Sequence, residues 1–389
     1  MRVIVSCSGK LHAFALVEQL ENFGLEVIFF TSYSSISNPF VAKFVRRKDK
    51  EIINPKTIHT SLLIAFLHKI FRKRPEFVNY IFDSWVASRI KKLNADIFIG
   101  WSGMSLHSIR TAQKKGIITI VERGSVHIDL QNHILQEAYA KLGLLFEINP
   151  KVRTVENSEY KESNYIAIPS QYCFQSFVDR GYPEFKLFVH PLGASPEFIP
   201  ILSSGSSRTR FLYLGQLSFQ KGVHHLLEAF AQLKPLHSEF DLVLCGGLDR
   251  DFSTLLNQYL LQFPSLQYMG FVHHQKLPQL IGQFDMSVVP SVQDGFAMVV
   301  PQCMKVGLPV LVSRQAGASE LVQEGVNGWI INPSVDNIYQ RLKWGVHHLD
   351  ELKFMRSQII AQLNEESYSW NSYGLLYHHN LQRAVAQGF

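Results

Sequence analysis

The sequence predicts an α/β protein with two doubly wound domains, each organised around an open and mainly parallel sheet. Short apolar runs of strand length alternate along the chain with segments of helical periodicity, as in repeated βαβ units. The chain has 389 residues, of which 46% are hydrophobic, and this length exceeds one ordinary core. A serine-rich segment, 203–210, lacks apolar periodicity, and a new strand follows at 211–214. We therefore predict one domain over residues 1–200, a second over residues 209–365, and a final helical segment over residues 366–389.

Composition and charge exclude several classes of protein. No run approaches the ~18 consecutive apolar residues of a membrane-spanning helix, and the apolar run at the start is too short for a signal peptide. The four cysteines lie in apolar contexts without zinc-site spacing, which favours buried thiols in a reducing compartment. The net charge is +6, but the basic clusters at 46–48 and 72–74 lack the interleaved aromatic residues of a nucleic-acid surface. We expect a cytoplasmic protein that does not bind nucleic acid.

The stretch around Asp294 carries the clearest functional signal. Met286–Val289 and Val310–Ser313 have the pattern of buried parallel strands, and a helix is predicted over 296–305 between them. Open α/β sheets bind ligands at the carboxyl ends of such strands, and Asp294 lies at one of these ends. Gln302 follows eight residues later inside the helix, so a carboxylate and an amide are available for sugar or ribose hydroxyls. The amino end of this helix favours a phosphate.

The loop before the helix predicted over 223–233 is a second candidate for phosphate binding. Lys221 lies just before the amino end of this helix, where its charge and the backbone N–H groups can together neutralise a diphosphate. An exposed lysine at the start of a helix, without a functional role, is the alternative. Gly246 follows the strand predicted over 241–245 and leaves room for a ligand.

The first domain offers two candidate positions at the ends of strands. Gly9 follows the first strand in a tight turn, which either lets a ligand approach the backbone or is only a turn. His127 follows the strand predicted over 117–121 in a short loop, where it either contacts a ligand or has a structural role. Arg123 in the same loop has two candidate partners, a phosphate and Glu122.

Residues 62–71 are predicted to form a helix that is apolar nearly all round and precedes the basic residues at 72–74. An interfacial helix would place its apolar face in lipid and its basic end near anionic head groups. A core helix with a solvated, charged end is the alternative. The sequence leaves both interpretations open.

The residues from Asp294 to Gln302 resemble the C-terminal donor site of the retaining GT-B glycosyltransferases of family four. The pattern of that family is Glu, Gly, Phe, Gly and a second Glu eight positions after the first. This chain has Asp294, Gly295, Phe296, Ala297 and Gln302 at those positions. Gly295 would let a ligand approach the backbone closely. Two further segments, EYKESNYIAIPS and HPLGASPEFIP, are similar to family segments towards the end of the first domain.

The resemblance implies a GT-B fold, in which two Rossmann-like domains face each other across a cleft and the last helix returns to the first domain. It implies transfer of a sugar from a nucleotide-diphosphate-sugar donor to a glycan, lipid-linked or small-molecule acceptor, with retained configuration and without a metal or other cofactor. It also implies a role in bacterial polysaccharide or glycolipid synthesis. Through the segment 62–74, it implies peripheral contact with an anionic membrane at its inner face.

The same resemblance assigns catalytic roles to three residues. Lys221 would stabilise the charge that develops on the leaving diphosphate, His127 would orient the transferred sugar, and Asp294 would hold the donor. The family has an Arg–Lys pair where this chain has Gln216 and Lys221, so only the lysine charge remains. Glu320 would touch the ribose or base end of the donor, or cap the following helix. The donor-contacting positions are Gly9, Gly124, Gly215, Gln216, Lys221, Gly246, Phe271, Asp294, Gly295, Phe296, Ala297, Met298, Gln302 and Glu320.

Two other functions remain open at this point. A non-catalytic, transferase-like scaffold subunit is favoured by the two glutamines, Gln216 and Gln302, and disfavoured by the retained Lys221 and His127. A GT-B sugar-nucleotide epimerase is disfavoured by the transferase-like residues around Asp294. Thermal protection by a nucleotide would distinguish a donor-binding enzyme from a scaffold that binds none.

Overall fold

The computed structural model describes residues 1–9, 11–32, 57–71, 74–202 and 207–387. Three predicted features lie wholly or partly outside the described residues: the basic cluster at 46–48, the basic residues 72 and 73, and the first half of the linker at 203–210. The described residues form two sheets, one in each half of the chain.

The sheet of the first half has seven strands, and all of its strand pairs are parallel. The strands are β1 (Arg2–Ser6), β2 (Glu26–Thr31), β3 (Ile58–Thr60), β4 (Ile97–Trp101), β5 (Ile118–Glu122), β6 (Tyr165–Ile168) and β7 (Leu187–Val189). Their order across the sheet is β3-β2-β1-β4-β5-β6-β7. The central strands are buried along nearly their whole length, which explains their continuous apolar runs.

The sheet of the second half has six strands and is also parallel throughout. The strands are β8 (Thr209–Leu214), β9 (Phe240–Cys245), β10 (Leu266–Gly270), β11 (Met286–Val289), β12 (Val310–Ser313) and β13 (Gly328–Ile331). Their order is β10-β9-β8-β11-β12-β13. The direction of winding therefore reverses between β1 and β4 in the first sheet and between β8 and β11 in the second. Ligands of open α/β sheets bind at such switch points.

Helices connect the strands and flank both sheets. In the first half they are α1 (Ala13–Asn22), α2 (Leu62–Ile70), α3 (Pro75–Ile90), α4 (Leu106–Gln113), α5 (Ile128–Ala140), α6 (Pro150–Glu162) and α7 (Gln171–Val178). In the second half they are α8 (Val223–Gln232), α9 (Ser253–Gln262), α10 (Leu277–Ile281), α11 (Val299–Val306), α12 (Val335–His347), α13 (Leu349–Gln362) and α14 (Trp370–Gln387). None of these described helices has the length and apolar character needed to cross a membrane.

The strands predicted around Asp294 are confirmed, since β11 and β12 have the predicted bounds. The helix between them begins at Val299 rather than at residue 296, because residues 294–298 form a turn held by the Asp294 side chain. Helices α5 and α6 lie between residues 128 and 162, where no helix was predicted from the sequence.

The chain crosses between the two halves twice, and the two crossings touch. The amide of Ala194, after β7, donates a hydrogen bond to the carbonyl oxygen of Tyr368 at 2.7 Å. Gly193 has no space for a Cβ atom because the backbone of Ser369 lies against it. Beyond this crossing α14 packs on α1, and the Tyr165 hydroxyl in β6 donates to Gln387 at 3.1 Å. The last helix therefore lies on the first domain.

Candidate active site

The loops at the carboxyl ends of the two sheets meet directly. Gln293 follows β11, and its side-chain amide donates to the Ser125 hydroxyl, beyond β5, at 2.7 Å. The Ser170 hydroxyl at the start of α7 donates to the Gly295 carbonyl oxygen at 2.7 Å. A Cβ atom on Gly295 would overlap the carbonyl oxygen of Gly124. Because Gly295 has no side chain, the backbone of the first domain packs directly against it in this structure.

Lys221 and Asp294 form an ion pair at the switch point of the second sheet. Lys221 follows β8 and Asp294 follows β11, and the distance from Lys221 Nζ to Asp294 Oδ2 is 2.6 Å. The two side chains are 27% and 19% exposed, so solvent reaches both. Gly222 positions the pair, since it has a φ of 70° and a Cβ atom there would overlap the Pro290 carbonyl oxygen. Two predicted site residues, 73 positions apart in the chain, are thus brought together.

The turn after Asp294 contains a strained backbone. Asp294 Oδ1 accepts hydrogen bonds from the amides of Phe296, at 3.3 Å, and Ala297, at 3.1 Å. Ala297 has a φ of 68°, the left-handed region that favours glycine. This is the position at which the resembling family has its second glycine. The carboxylate of Asp294 therefore both pairs with Lys221 and fixes the turn that precedes α11.

The loop after β9 packs against the loop after β8. A Cβ atom on Gly246 would overlap the carbonyl oxygen of Gly215, so the two backbones are in close contact. The exposed Gln216 donates through its side-chain amide to Asp249 at 2.8 Å. Gln216 is thus held by a carboxylate of its own domain, and in this structure its amide is engaged away from Lys221.

The remaining predicted donor contacts fall into buried and exposed positions. Phe296 and Gln302 are buried, and Met298 is half-buried in the turn before α11. Phe271 follows β10 and is exposed. Gly9, after β1, has open space around its Cβ position, and so does Gly124 after β5. Both glycines therefore leave room at the carboxyl edge of the first sheet.

Glu320 does cap a helix, but that helix is α7 of the first domain and not the helix that follows Glu320 in the chain. Its Oε2 accepts a hydrogen bond from the amide of Gln171, the first residue of α7, at 2.8 Å. A carboxylate at the amino end of a helix is favourable because the exposed N–H groups and the helix dipole are positive there. Glu320 therefore caps a helix of the other domain, and it joins the two domains in this structure.

His127 is a core residue of the first domain in this structure, not a residue of the cleft. Its ring is 3% exposed and lies against Tyr160, Phe177 and Tyr182, with ring centroids 5.1 to 5.7 Å apart. Burial, with a contribution from the charge of Arg180, lowers the pKa of His127 to about 4. Three aromatic rings enclose the His127 ring in this structure, and its role in orienting the transferred sugar stays a prediction.

Arg123 pairs with neither of its expected partners. Its guanidinium is buried, and Nη1 donates to Glu156 Oε2 at 2.7 Å while Nη2 donates to Gln131 at 2.5 Å. The hydroxyl of Tyr160 donates to the same Glu156 carboxylate. A buried, paired guanidinium of this kind holds the loop after β5 in place.

The sequence analysis missed a histidine–carboxylate pair at the switch point of the first sheet. His12 follows β1, Glu122 ends β5, and His12 Nε2 lies 3.3 Å from Glu122 Oε2. Burial raises the pKa of the Glu122 carboxyl, but the hydrogen bond and charge of His12 outweigh it, and the pKa lies below its usual value. The signal that was available is their position, since both residues lie beyond or at the carboxyl ends of predicted strands, β1 and β5, which only β4 separates.

The described residues contain no group of three or more His, Cys, Asp or Glu side chains that could hold a metal ion. The four cysteines are all buried free thiols in the structure. Burial raises the pKa of Cys173 to about 12, so its thiol is not a nucleophile.

Comparison with known proteins finds its family match in the second half of the chain. Residues 195–355 match the family model of glycosyl transferases group 1. An uncharacterised glycosyltransferase of Methanocaldococcus jannaschii is 31% identical over 166 residues, which cover 41% of this chain and 41% of that protein. An amylovoran biosynthesis glycosyltransferase of Erwinia amylovora is 24% identical over 296 residues, which cover 72% of this chain and 67% of that protein. The chain matches only about two fifths of the length of the Methanocaldococcus jannaschii protein, and of a putative colanic acid biosynthesis glycosyltransferase of Salmonella typhimurium.

Solved structures resemble the whole chain. Sucrose-phosphate synthase from Thermosynechococcus elongatus has a TM-score of 0.73 at 14% identity, with 100% of both chains covered. Anabaena HepE, in complex with UDP-glucose, has a TM-score of 0.69 at 13% identity, with 98% of this chain and 100% of that chain covered. At this identity the likeness shows the fold alone. The predicted GT-B fold, with two Rossmann-like domains, is therefore confirmed.

Proposed function

We propose that this protein is a retaining glycosyltransferase that moves a sugar from a nucleotide-diphosphate-sugar donor to a glycan, lipid-linked or small-molecule acceptor, in bacterial polysaccharide or glycolipid synthesis. The observation that carries the proposal is the solvent-accessible pair of Lys221 and Asp294 at the switch point of the second domain. A cation and a carboxylate at this place match the two halves of a sugar nucleotide, the diphosphate and the hydroxyls.

The chemistry of transfer fits this pair. When the bond from the anomeric carbon to the diphosphate breaks, the departing diphosphate gains negative charge. Lys221 Nζ and the amino end of α8, which begins two residues later, are the groups that would stabilise it. Asp294 is held in place by two backbone amides and would accept hydrogen bonds from donor hydroxyls once a diphosphate competes for Lys221. None of these steps calls on a metal ion, so we propose metal-independent transfer.

The comparisons support a sugar nucleotide and an envelope glycan. The family matched by residues 195–355 is glycosyl transferases group 1, and a further relative is a lipopolysaccharide 1,2-N-acetylglucosaminetransferase of Salmonella typhimurium, 26% identical over 227 residues. Anabaena HepE was solved with UDP and with UDP-glucose. We therefore propose a UDP-sugar as the first donor to test.

Thermal unfolding with UDP, GDP, ADP and dTDP tests the proposal. Binding at a hundredfold excess over Kd adds about 2.7 kcal/mol to the free energy of unfolding, so one nucleotide is expected to raise the Tm by several degrees. Lys221→Ala is expected to abolish this shift, whereas Lys234→Ala, at an exposed lysine just beyond the carboxyl end of α8, is expected to keep it. Absence of any shift at millimolar nucleotide would favour the scaffold alternative, and Gln216 and Gln302 would then explain the loss of binding.

We also propose that the first domain contacts an anionic membrane through its α2–α3 surface. Only Ile64 of α2 is buried, so this helix is not the core helix that the sequence allowed. The last turn of α2 carries Lys69, and Arg74 precedes α3. The exposed apolar side chains of the surface are Leu62, Leu63, Phe66, Ile70, Phe77 and Tyr80. Such a patch with basic residues at its edge is typical of an interfacial surface.

A groove beside this surface suits a lipid-linked acceptor. It has a volume of about 720 Å³, and its walls include Phe77, Tyr80 and Lys151. It extends to Gly103 and Met104, just beyond the end of β4, which is one of the two strands at the switch point of the first sheet. An acyl or prenyl chain in the groove would thus leave its head group near the cleft.

Co-sedimentation with vesicles tests the membrane proposal. Vesicles of phosphatidylcholine with phosphatidylserine are expected to retain the protein, and Phe66→Asp is expected to release most of it because a charge replaces an inserted apolar ring. Phe354→Asp, at an exposed phenylalanine of α13, is the matched control. Equal retention of the two variants would contradict the assignment of this surface.

A further inference from the structure

His12 and Glu122 form a buried pair that the reaction described above does not use. Their side chains are 7% and 5% exposed, and His12 Nε2 lies 3.3 Å from Glu122 Oε2. The His12 ring also contacts the rings of Trp101, at 5.2 Å, and Tyr373, at 6.1 Å. The pair therefore joins β1, β4 and β5 of the first sheet to the returning helix α14.

The Tyr377 hydroxyl lies against the Glu122 carboxylate, but several polar atoms around this pair lack a partner of regular geometry. Trp101 Nε1 and the Tyr373 hydroxyl are buried without a hydrogen-bond partner in the described part of the chain, and Glu122 Oε1 lacks one of regular geometry there. Buried polar groups nearly always have a partner, whether from the protein, from water or from a ligand. An indole N–H only donates a hydrogen bond, and a carboxylate oxygen only accepts one. A single partner of both groups must therefore accept from the indole and donate to the carboxylate. Hydroxyl groups, of water or of a sugar, have this property.

The pair lies on the side of the first sheet that faces the donor loop. Gly124 and Ser125 follow Glu122 by two and three residues, and they contact Gly295 and Gln293 on either side of Asp294. His12 follows β1, a strand of the first sheet's switch point. It therefore has the same topological place in the first domain that Lys221 has, after β8, in the second.

We propose that His12 and Glu122 form a subsite for a sugar hydroxyl on the first-domain side of the cleft. The carboxylate of Glu122 only accepts hydrogen bonds, so the proton of the His12 ring lies on Nε2 and is donated to Glu122. Nδ1 is then left as an acceptor, and it receives a hydrogen bond from the sugar hydroxyl. His12 is the contacting residue and Glu122 is a positioning residue. The inference rests on the proposed function, because it requires a sugar substrate.

The hydroxyl belongs either to the sugar of the donor or to the acceptor, and binding measurements distinguish the two. Isothermal titration calorimetry would compare UDP, UDP-glucose, and glucose in the presence of saturating UDP. The proteins are wild type, His12→Ala, Glu122→Gln and, as a matched control, His133→Ala, an exposed histidine of α5. Should His12→Ala fail to fold, His12→Gln replaces it. GDP, ADP or dTDP with their glucose esters replace the uridine compounds if one of them is the nucleotide that binds.

We expect His12→Ala to bind the nucleotide as wild type does, because the nucleotide site is in the other domain. Affinity for the sugar nucleotide is expected to fall roughly two- to tenfold, the equivalent of one neutral hydrogen bond, if the hydroxyl is on the transferred sugar. Affinity for glucose falls by the same factor if the hydroxyl is on the acceptor. Glu122→Gln is expected to lower the affinity for the same ligand by a smaller factor, and His133→Ala is expected to leave it unchanged.

Two results overturn the inference. If His12→Ala binds nucleotide, sugar nucleotide and glucose as wild type does, the subsite does not exist, while the proposed function stands. If no nucleotide binds to the wild type, the proposed function fails and the subsite fails with it. The ring tautomer is a separate check, because nitrogen NMR of the His12 ring must show the proton on Nε2 in the wild type. A proton on Nδ1 of the neutral ring would leave no acceptor for the hydroxyl, and would exclude the subsite.

Discussion

The switch points of the two sheets each hold an acid–base pair, but the two pairs differ in their exposure. Lys221 and Asp294 are 27% and 19% exposed, at the edge of the second sheet. His12 and Glu122 are 7% and 5% exposed, under α14 at the edge of the first. An ion pair that water reaches is held weakly and can exchange its partner for a ligand, whereas a buried one is fixed because separating it leaves a charge unpaired. In the proposed reaction, the exposed pair of the second domain would therefore supply a charge to the ligand, and the buried pair of the first domain would supply a fixed ring.

The largest expected effect is on the exposed pair. Lys221→Ala is expected to lower kcat for transfer from the sugar nucleotide by about 10²- to 10³-fold, or about 2.7–4 kcal/mol, because a charge opposite the departing diphosphate is lost. The free energy of unfolding should change little, since the Asp294 carboxylate remains accessible to water. Single-turnover transfer is the measurement, with Lys234→Ala as the control. A kcat within threefold of wild type would remove the functional difference between the two pairs.

His127 extends the comparison to a histidine whose carboxylate partner is farther away than that of His12. Its pKa in the folded protein is about 4, against about 6.5 in an unfolded chain, so the unfolded chain takes up a proton first as the pH falls. The stability that His127 contributes as a neutral ring is complete above pH 6.5 and is lost between pH 6.5 and pH 4, by up to about 3 kcal/mol.

Urea unfolding of the wild type and of His127→Asn, between pH 7.5 and pH 4.5, measures this loss. Asparagine is a good residue at the amino cap of α5, which His127 occupies, and it does not titrate. The difference in free energy of unfolding between the two proteins is therefore expected to shrink as the pH falls. Two curves that stay parallel over this range would show that His127 is not held neutral by burial.

The elements around the candidate site of the second domain were predicted well, because the candidate residues are close in sequence to one another and to the elements that hold them. Asp294 and Gln302 lie in one βαβ unit, and the strands on either side have the predicted bounds. Lys221 was found because it immediately precedes a helix. Even here, the helix begins later than predicted because the turn at Ala297 precedes it. No sequence pattern predicts an alanine with a left-handed φ.

The first domain was predicted less well because its pairs are made by tertiary packing. His12 and Glu122 are 110 residues apart, and only the order of the strands brings them together. His127 had the position of a site residue at the end of a strand, but whether its ring faces the cleft or the core depends on aromatic residues of α6 and α7. Helices α5 and α6 lie in an interval for which no element was predicted, so the partners of this loop were not foreseen.

A substitution at Gly295 tests the contact between the carboxyl edges of the two sheets. Gly295→Ala places a methyl group against the backbone of Gly124 and Ser125, which cannot move aside as a flexible side chain can. The two domains would be held apart, and misplacement by about 1 Å can lower the rate of transfer about 10²-fold. Nucleotide binding, measured by thermal shift, should persist because Lys221 is not displaced. Wild-type transfer by this variant would mean that the domains need not meet at Gly295.

The smallest expected effect concerns the turn that fixes Asp294. Ala297→Gly relieves a left-handed φ of 68°, but it also removes a buried methyl group worth about 0.8 kcal/mol and frees the unfolded chain. These contributions oppose one another, so the free energy of unfolding is expected to change by less than about 0.5 kcal/mol. Ala316→Gly is the matched control, because Ala316 is also buried and has a φ of −102°. This control variant relieves no backbone strain, and its free energy of unfolding should fall by about 1–2 kcal/mol. Equal losses in the two variants, measured by urea unfolding, would show that Ala297 is unstrained, and that the turn at Asp294 needs no glycine.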